Sequence, residues 1–507
     1  MKKNNILLLA TCLLSLSSLA QDEHDALRYA HIYTHGTARG MAIGGAVGSI
    51  GADFSSLSVN PAGIGLYRKS ELNFSPSFTI QSNNGSYLGQ NSKESNTRLN
   101  FAQAGLVTAS AKKGNAYKKS AWKTTAFGIG VNRLATFNQE YSYTGKNYKS
   151  SFIERYAEEF NRLGGLNNAT LDRVSFPAYA AWETYLVDKD YAGDTNLAKA
   201  YVPYQDGLQQ TKRVSDRGGM NELAISFGGN YMESLMIGAT MGIVRSNFDR
   251  TVRTMEEDIS GKLDNEFKYV RLTERYNTEG TGVNLKLGAI FRPNDAFRFG
   301  LALHTPTKMY FNDVSTMFME SHTDSLKLYN NPAANPVSSY TQETTQVFNY
   351  SMNTPYKALA SATYIIQKQG FITADLEYID YASMRYDYGQ GFQNQSDAVN
   401  DAIKNTYKSA VNLRLGGEVK VKDMALRAGY AFYGSPYQAN SSVGTRSILS
   451  AGTGYRTNSW FLDATLLYAM HKRHEAPYVL ARTDAAVTNA TIQQSITQVV
   501  LTWGWRF

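Results

Sequence analysis

Two pairs of histidines have the spacing that could bind a haem iron or a metal. His31 and His35 are four residues apart, and His471 and His474 are three apart. In a helix each pair would share one face, and imidazole nitrogens are common ligands of iron and zinc. Histidines that merely pack or face solvent are more common. Haem binding at His31 and His35 is therefore kept as an alternative, and we predict no metal site and no bound cofactor.

A second group of residues that could take part in chemistry consists of charged residues. They lie on segments whose side chains alternate between apolar and polar. Its members are Arg298, Asp375, Glu377, Arg414, Glu418 and Arg427. Charges that leave bulk water must pair, so these residues predict a network of salt bridges inside a lumen rather than acid–base groups. The sequence shows no Gly-x-Ser-x-Gly turn and no recognisable triad spacing. We therefore predict that the protein is not an enzyme.

Residues 1–20 predict a cleaved export signal. Lys2 and Lys3 precede a short apolar run, and Ser18 and Ala20 are the small residues that signal peptidase requires. The apolar run is too short to cross a membrane as a helix. A lipoprotein signal ending at Cys12 is the competing interpretation. Because Cys12 is the only cysteine, the mature chain is expected to have no disulfide.

The C-terminal segment has a period of two residues, which is the period of a β-strand. One face carries Val499, Leu501, Trp503, Trp505 and Phe507. That face suits lipid, and the opposite, more polar face suits a lumen. The same pattern recurs in segments of about ten residues, the length that a tilted membrane-crossing strand needs. A soluble sandwich has the same period, but it does not explain connections that alternate between short and long.

Counting these segments gives an all-β fold, a transmembrane antiparallel barrel of about fourteen strands over residues 70–507. Long polar connections are expected near 144–217, 251–275, 312–345, 385–407 and 471–492, as extracellular loops. Within the first of these, Phe152, Tyr156 and Phe160 recur at helical spacing before Gly164-Gly165. The net charge of +8 is mild for 507 residues, which argues against nucleic-acid binding.

Residues 21–69 do not have strand character. A Gly/Ala-rich stretch over 38–51 is followed by Asn60, Pro61, Ala62 and Gly63. Small residues permit close packing and unusual backbone angles, so this segment is predicted to fold inside the lumen as an N-terminal hatch. A tail outside the barrel is the alternative.

These residues, together with Asp53, resemble the FadL/TodX family of outer-membrane transporters for long-chain fatty acids and other hydrophobic compounds. The resemblance is nearest to a Bacteroidetes branch often labelled hemin receptors. It implies that a hydrophobic ligand is captured by the outer loops, passes a hatch and leaves sideways where the third strand bends. Gly128 and Gly130 on that strand are the predicted kink, with ordinary barrel curvature as the alternative.

The predicted function is therefore passive uptake of fatty-acid-like molecules across the outer membrane of a Gram-negative bacterium. The predicted partners are a hydrophobic small molecule, membrane lipid and lipopolysaccharide, and the barrel is expected to be a monomer. A haem-binding receptor and a partner-binding barrel of the type IX secretion system remain the alternatives.

Overall fold

The computed structural model describes residues 23–33, 35–167, 173–263, 265–326, 337–438, 444–482 and 487–507. The predicted signal sequence over residues 1–20 lies outside these ranges. Among the described residues, no helix is both long and apolar enough to span a membrane.

Antiparallel strands dominate the chain. Their bounds are β1 Glu71–Tyr87, β2 Gln90–Ala111, β3 Trp122–Thr136, β4 Gln139–Asn147, β5 Val187–Lys189, β6 Ala198–Ala200, β7 Leu208–Tyr231, β8 Leu235–Asp258, β9 Tyr269–Phe291, β10 Phe297–His304, β11 Lys308–Leu326, β12 Val337–Asn353, β13 Lys357–Ile366, β14 Gly370–Asp380, β15 Arg385–Asp387, β16 Ser409–Val421, β17 Met424–Tyr433, β18 Arg446–Arg456, β19 Trp460–Glu475 and β20 Ala490–Arg506.

Fourteen of these strands close into one barrel, which confirms the predicted number. The wall runs through β1, β2, β3, β7, β8, β9, β10, β13, β14, β16, β17, β18, β19 and β20. Closure is made by β20, whose Trp505 and Val499 pair with Leu72 and Phe78 of β1. A closed barrel satisfies every backbone group between strands, which is what a membrane-crossing β-structure requires.

The outward face carries an apolar belt with a sharp upper boundary. On β8, exposed Ile237, Met241 and Ile243 give way to Arg245 at the next outward position. On β1 the exposed apolar residues end at Ile80. Aromatic residues cluster at the other edge, beside the short turns; they are Trp122, Tyr231, Phe291, Phe297, Tyr364, Tyr455, Trp460 and Trp505. This belt is what an outer-membrane barrel presents to lipid.

Several strands continue far above the belt. β8 extends to Asp258, β9 begins at Tyr269, and β11 runs to Leu326. The predicted loops over 251–275 and 312–345 are therefore wrong for most of their length. Their outward residues are polar, as in a loop, but ladder hydrogen bonds to neighbouring strands hold them extended. The composition of a segment indicates whether its side chains face water, but it does not show whether its backbone is paired with a neighbouring strand.

Helices occupy the ends and the connections. Their bounds are α1 Glu23–Ala30, α2 Ala38–Ala42, α3 Ser56–Val59, α4 Gly114–Lys119, α5 Glu154–Arg162, α6 Phe176–Glu183 and α7 Gln393–Thr406, with short 3₁₀ turns at Pro61–Leu66, Tyr204–Asp206 and Tyr381–Ser383. The predicted loop helix is α5; Tyr156 and Phe160 are buried against the neighbouring α6 and its flanking chain. Gly164 and Gly165 follow it with positive φ, as a helix end requires.

Candidate functional site

The N-terminal segment, residues 23–69, packs against the inward faces of the wall strands. The amide of Ala38 donates to the Thr502 hydroxyl at 2.6 Å, and Ser49 shares a 2.7 Å hydrogen bond with Ser361. Ser58 donates to Glu222 at 2.6 Å. Because these partners lie on β20, β13 and β7, the segment touches well-separated parts of the wall. The segment then joins β1 at Ser70, whose amide bonds the carbonyl of Phe507.

Glycines of the wall make room for this segment. A Cβ atom on any of them would collide with a residue of the segment: at Gly105 or Gly130 with Phe54, at Gly238 with Pro61, at Gly288 with Asn60, at Gly300 with Gly48, and at Gly416 or Gly429 with Ile43. Strand glycines thus mark close approach of a second backbone.

The predicted motif Asn60, Pro61, Ala62 and Gly63 lies in this contact zone and is fully buried. The Asn60 amide nitrogen donates to the Gly48 carbonyl at 2.6 Å and to the Ala289 carbonyl at 3.3 Å. Its side-chain oxygen accepts from the amide of Ala62 at 3.2 Å and caps the 3₁₀ turn. Asn60 therefore ties two parts of the segment to strand β9.

Three of the six predicted lumen charges contact the segment directly, and a fourth, Arg427, is linked to it through Glu418. Asp375 accepts from the Gly48 amide at 3.0 Å, and Arg298 donates to the Ile50 carbonyl. Glu418 pairs with Arg39 of the segment at 3.2 Å and with Arg427 at 2.7 Å. The network continues from Arg427 to Asp463 at 2.6 Å, and both of these side chains are inaccessible to solvent. The charges therefore anchor the segment as well as one another.

The remaining two predicted charges form a separate pair. Arg414 lies 3.2 Å from Glu377, which also accepts from Asn412 at 2.9 Å. A further buried pair, Lys286 with Glu222, was not predicted. Its signal was present in the alternation of β7 and β9, where Glu222 and Lys286 fall on the inward face.

A cavity inside the barrel is bounded by the segment in two places, at α1 and the chain that follows it and at Ser58 and Val59. Its apolar lining includes Tyr29, Leu134, Met220, Val244 and Met309. Its polar lining includes Arg133, Glu222, Lys286, His304, Lys357, Glu377 and Arg414. The cavity is thus amphipathic: a hydrocarbon can be buried on one side, and a polar group can be bound on the other.

Two interruptions of the wall help to form this cavity. β10 ends at His304 before Thr305-Pro306-Thr307, and β12 ends at Asn353 before Thr354-Pro355-Tyr356. Proline cannot donate to a ladder, so both strands break there. The breaks are adjacent, since the Thr354 amide bonds the Thr307 carbonyl at 3.0 Å.

Aromatic rings fill the lumen above the cavity. Tyr29 of α1 lies 4.4 Å, centroid to centroid, from Phe311, and Phe311 lies 5.2 Å from Tyr350. The cluster continues through Tyr386 and Tyr388 toward α7. Together they provide a largely apolar lining on the extracellular side of the cavity.

The third wall strand is interrupted, and the interruption lies above the two predicted glycines. Gly128 and Gly130 are regularly paired with β2 and β7, and they contact Leu57 and Phe54. The register shifts between Arg133 and Ala135, and the strand breaks between Thr136 and Gln139. These two glycines accommodate the N-terminal segment at positions where the strand is regular.

This interruption leaves a gap in the wall. β2 pairs with β3 only from Gln103 to Ala111, so its part above Gln103 has no ladder partner on that side among the described strands. Hydrogen bonds made by side chains cross the gap: Asn138 donates to Asn100 at 3.5 Å and accepts from Arg98 at 3.4 Å, and higher up Asn96 donates to Glu140 at 3.2 Å. A second cavity adjoins it, lined by Thr136, Phe137 and Asn138.

The predicted histidine pair does not form a helical ligand pair. α1 ends at Ala30, so His31 and His35 lie beyond the helix, in chain that is neither helix nor strand. Burial, with Arg446 nearby, lowers the pKa of His31 to about 3, and burial lowers the pKa of His35 to about 3 as well. The His31 ring packs beside Tyr33 and Tyr381. Both imidazoles are therefore neutral at physiological pH.

Comparison with known proteins decides the family. Residues 220–502, more than half of the chain, match the family described as outer membrane protein transport protein (OMPP1/FadL/TodX). The chain belongs to this family. It is a family of transport proteins of the outer membrane, and this protein is accordingly placed there. No curated protein sequence matches the chain significantly.

Solved structures share the fold. A Pseudomonas aeruginosa FadL homologue superposes with a TM-score of 0.53 at 13% identity, over 93% of this chain and 99% of that one. The P. putida toluene transporter TodX superposes with a TM-score of 0.52 at 11% identity, over 94% and 99%. These likenesses establish a common architecture at very low sequence identity.

Proposed function

We propose that this protein takes up hydrophobic small molecules passively across the outer membrane, with residues 23–69 acting as the hatch. The observation that carries the proposal is the position of the amphipathic cavity. Aromatic rings, including Tyr29 of α1, stand on its extracellular side, Ser58 and Val59 of the N-terminal segment lie below it, and the wall gap is beside it. The structural neighbour TodX is described as a toluene transporter, which supports an apolar cargo.

Apolar burial supplies the affinity. Removing hydrocarbon from water contributes about 25 cal/mol per Å², so a chain of several methylenes gains a few kcal/mol in the cavity. The polar lining favours a ligand with a polar end, and its ammonium and guanidinium groups suit a carboxylate. This is the chemistry of a fatty acid, which buries its chain beside Met220 and Met309 and its head group near Lys286 and Lys357.

The wall gap provides the exit. β1 pairs Phe78 with Leu99 and Ile80 with Thr97, so the gap above Gln103 lies within the outer part of the apolar belt. A ligand leaving there enters lipid directly and does not cross water. The hatch below prevents an open channel to the periplasm. Since no energy source is needed for this path, transport follows the concentration gradient.

Crosslinking the gap tests the exit. Asn100→Cys and Asn138→Cys place two thiols across it, and a short thiol crosslinker joins them. We expect uptake of radiolabelled oleate by cells expressing this variant to fall at least tenfold on crosslinking, while the purified protein still binds oleate. A matched pair, Leu106→Cys and Ile129→Cys, joins strands that are already paired and should leave uptake unchanged.

These two measurements distinguish a loss of ligand binding from a loss of lateral exit. Unchanged uptake after complete crosslinking contradicts lateral exit. Purified protein that binds neither oleate nor toluene, and that carries no co-purified lipid in native mass spectrometry, contradicts the proposed transport itself.

A further inference from the structure

Above the apolar belt, the outward face of the barrel carries a concentration of arginines. Arg213 of β7 stands directly opposite Arg253 of β8, while Arg275 and Arg271 follow on the adjacent β9. Like charges on paired strand positions repel and destabilise a sheet by up to about 1 kcal/mol. An arrangement of this kind is favourable when an anion binds between the charges.

Three of these arginines line one groove. The arginine groove is formed by Arg253, Arg271, Thr273, Arg275, Thr316, Phe318 and Glu343. Within it, three cations face one carboxylate. Two threonine hydroxyls add hydrogen-bond donors, and the Phe318 ring offers an apolar surface against which a sugar can pack.

The charges of the groove are only partly compensated by the protein. Arg271 is paired with Glu320, and Arg213 is paired with Glu94 at 2.9 Å. Arg253 and Arg275 make no side-chain hydrogen bond or ion pair with the described part of the chain. Guanidinium groups bind phosphate oxygens through two parallel hydrogen bonds, which makes arginine the preferred residue for such ligands.

The height of the groove indicates the source of the phosphate. Ile243 is the last exposed apolar residue of β8, and Arg253 lies ten residues further along the strand. With about 3.3 Å per residue and a strand tilt of about 40°, the groove stands roughly 25 Å above the apolar belt. In an outer membrane the phosphorylated core sugars of lipopolysaccharide occupy the space above the acyl chains.

We propose that the arginine groove is a binding site for the phosphorylated core of lipopolysaccharide. Arg253 and Arg275 bind phosphate, and the threonine hydroxyls and Phe318 contact the attached sugar. This role is independent of the transported ligand, because the groove lies on the outside of the wall and the cavity lies inside it.

The test compares two double variants of the full-length protein in detergent. Arg253→Gln with Arg275→Gln removes two cations from the groove. Lys93→Gln with Lys472→Gln removes two exposed cations from strands β2 and β19, away from it. Heat-modifiable electrophoretic mobility reports whether each barrel is folded. Binding is measured with purified lipopolysaccharide and with the same material after enzymatic dephosphorylation.

We expect the groove variant to bind lipopolysaccharide at least tenfold more weakly than the parent, since hydrogen bonds to charged groups contribute about 1.5–3 kcal/mol each. The control should bind as the parent does, and dephosphorylated material should bind all three proteins equally weakly. Wild-type affinity in the groove variant, an equal loss in the control, or undiminished binding of dephosphorylated material would each overturn the proposal.

Discussion

The lumen has two halves built from opposite kinds of residue. On the periplasmic side, wall glycines and the small residues of the N-terminal segment allow two backbones to touch, as at Gly288 and Asn60. On the extracellular side, rings such as Tyr29 and Phe311 pack against one another and leave a cavity beneath them. Small side chains close one half, and large rigid ones leave space in the other. The same barrel is thus tightly packed where small residues meet and holds a cavity where large rings meet.

The substitution expected to disturb this contrast most is Gly288→Val. The new side chain would collide with Asn60 and Pro61, so the N-terminal segment could not seat against β9. We expect frequent channel openings in planar-bilayer recordings and a loss of about 1–3 kcal/mol of stability from overpacking. Gly417→Val is the matched control, because a Cβ there would meet only the Phe371 carbonyl oxygen at 3.4 Å. A quiet G288V channel with parental melting temperature would contradict the sealing role.

A smaller effect is expected when the ionic anchor of the segment is removed. Arg39→Ala deletes the bond to buried Glu418 and a 3.4 Å bond to the Ala52 carbonyl. Breaking a buried pair costs about 3–5 kcal/mol, and the remaining Arg427 partner should reduce this to about 2 kcal/mol.

The control for this anchor is Arg68→Ala, which breaks a partly exposed pair with Glu233. Such pairs contribute at most about 1 kcal/mol. Thermal unfolding in detergent measures both variants. Equal losses in the two would show that Arg39 does not anchor the segment.

The most local expected effect concerns the extracellular side, where the connection containing α5 is fastened to Glu256. This carboxyl lies in the part of β8 above the apolar belt and accepts from the Phe152 amide at 2.8 Å and from Gln210 at 2.6 Å. Burial raises the pKa of Glu256 to about 7. Its ordinary value is 4.5, so the docked state binds the proton more tightly than an undocked one does.

Docking of this connection is therefore strongest below pH 4.5, weakens as the pH rises toward 7, and is constant above it. The difference amounts to roughly 3 kcal/mol at most. Hydrogen exchange of residues 152–163 measured from pH 4.5 to 8, corrected for the intrinsic rate, should show this loss of protection. Glu256→Gln should remove the pH dependence, and an unchanged profile in that variant would refute the assignment.

How far the sequence predicts the structure depends on the range of the interaction. Alternation in β14 and β16 identified Asp375, Glu377, Arg414 and Glu418 as inward-facing, because side-chain direction follows from the two-residue period alone. The strand extension of β9 above the belt was missed, because polar outward residues look the same in a loop and in a paired strand. Arg39 was missed because it lies outside any strand pattern.

The sequence by itself determined the class of the molecule: a fourteen-stranded barrel with an apolar belt and charges turned inward. These features follow from local period and from the length of each crossing. Only the tertiary structure decided which glycines seat the N-terminal segment, where the third strand breaks and which residues enclose the cavity. Those features depend on contacts between residues hundreds of positions apart, as between Ala38 and Thr502. Local sequence patterns do not reveal such contacts, because these contacts form only when the barrel closes.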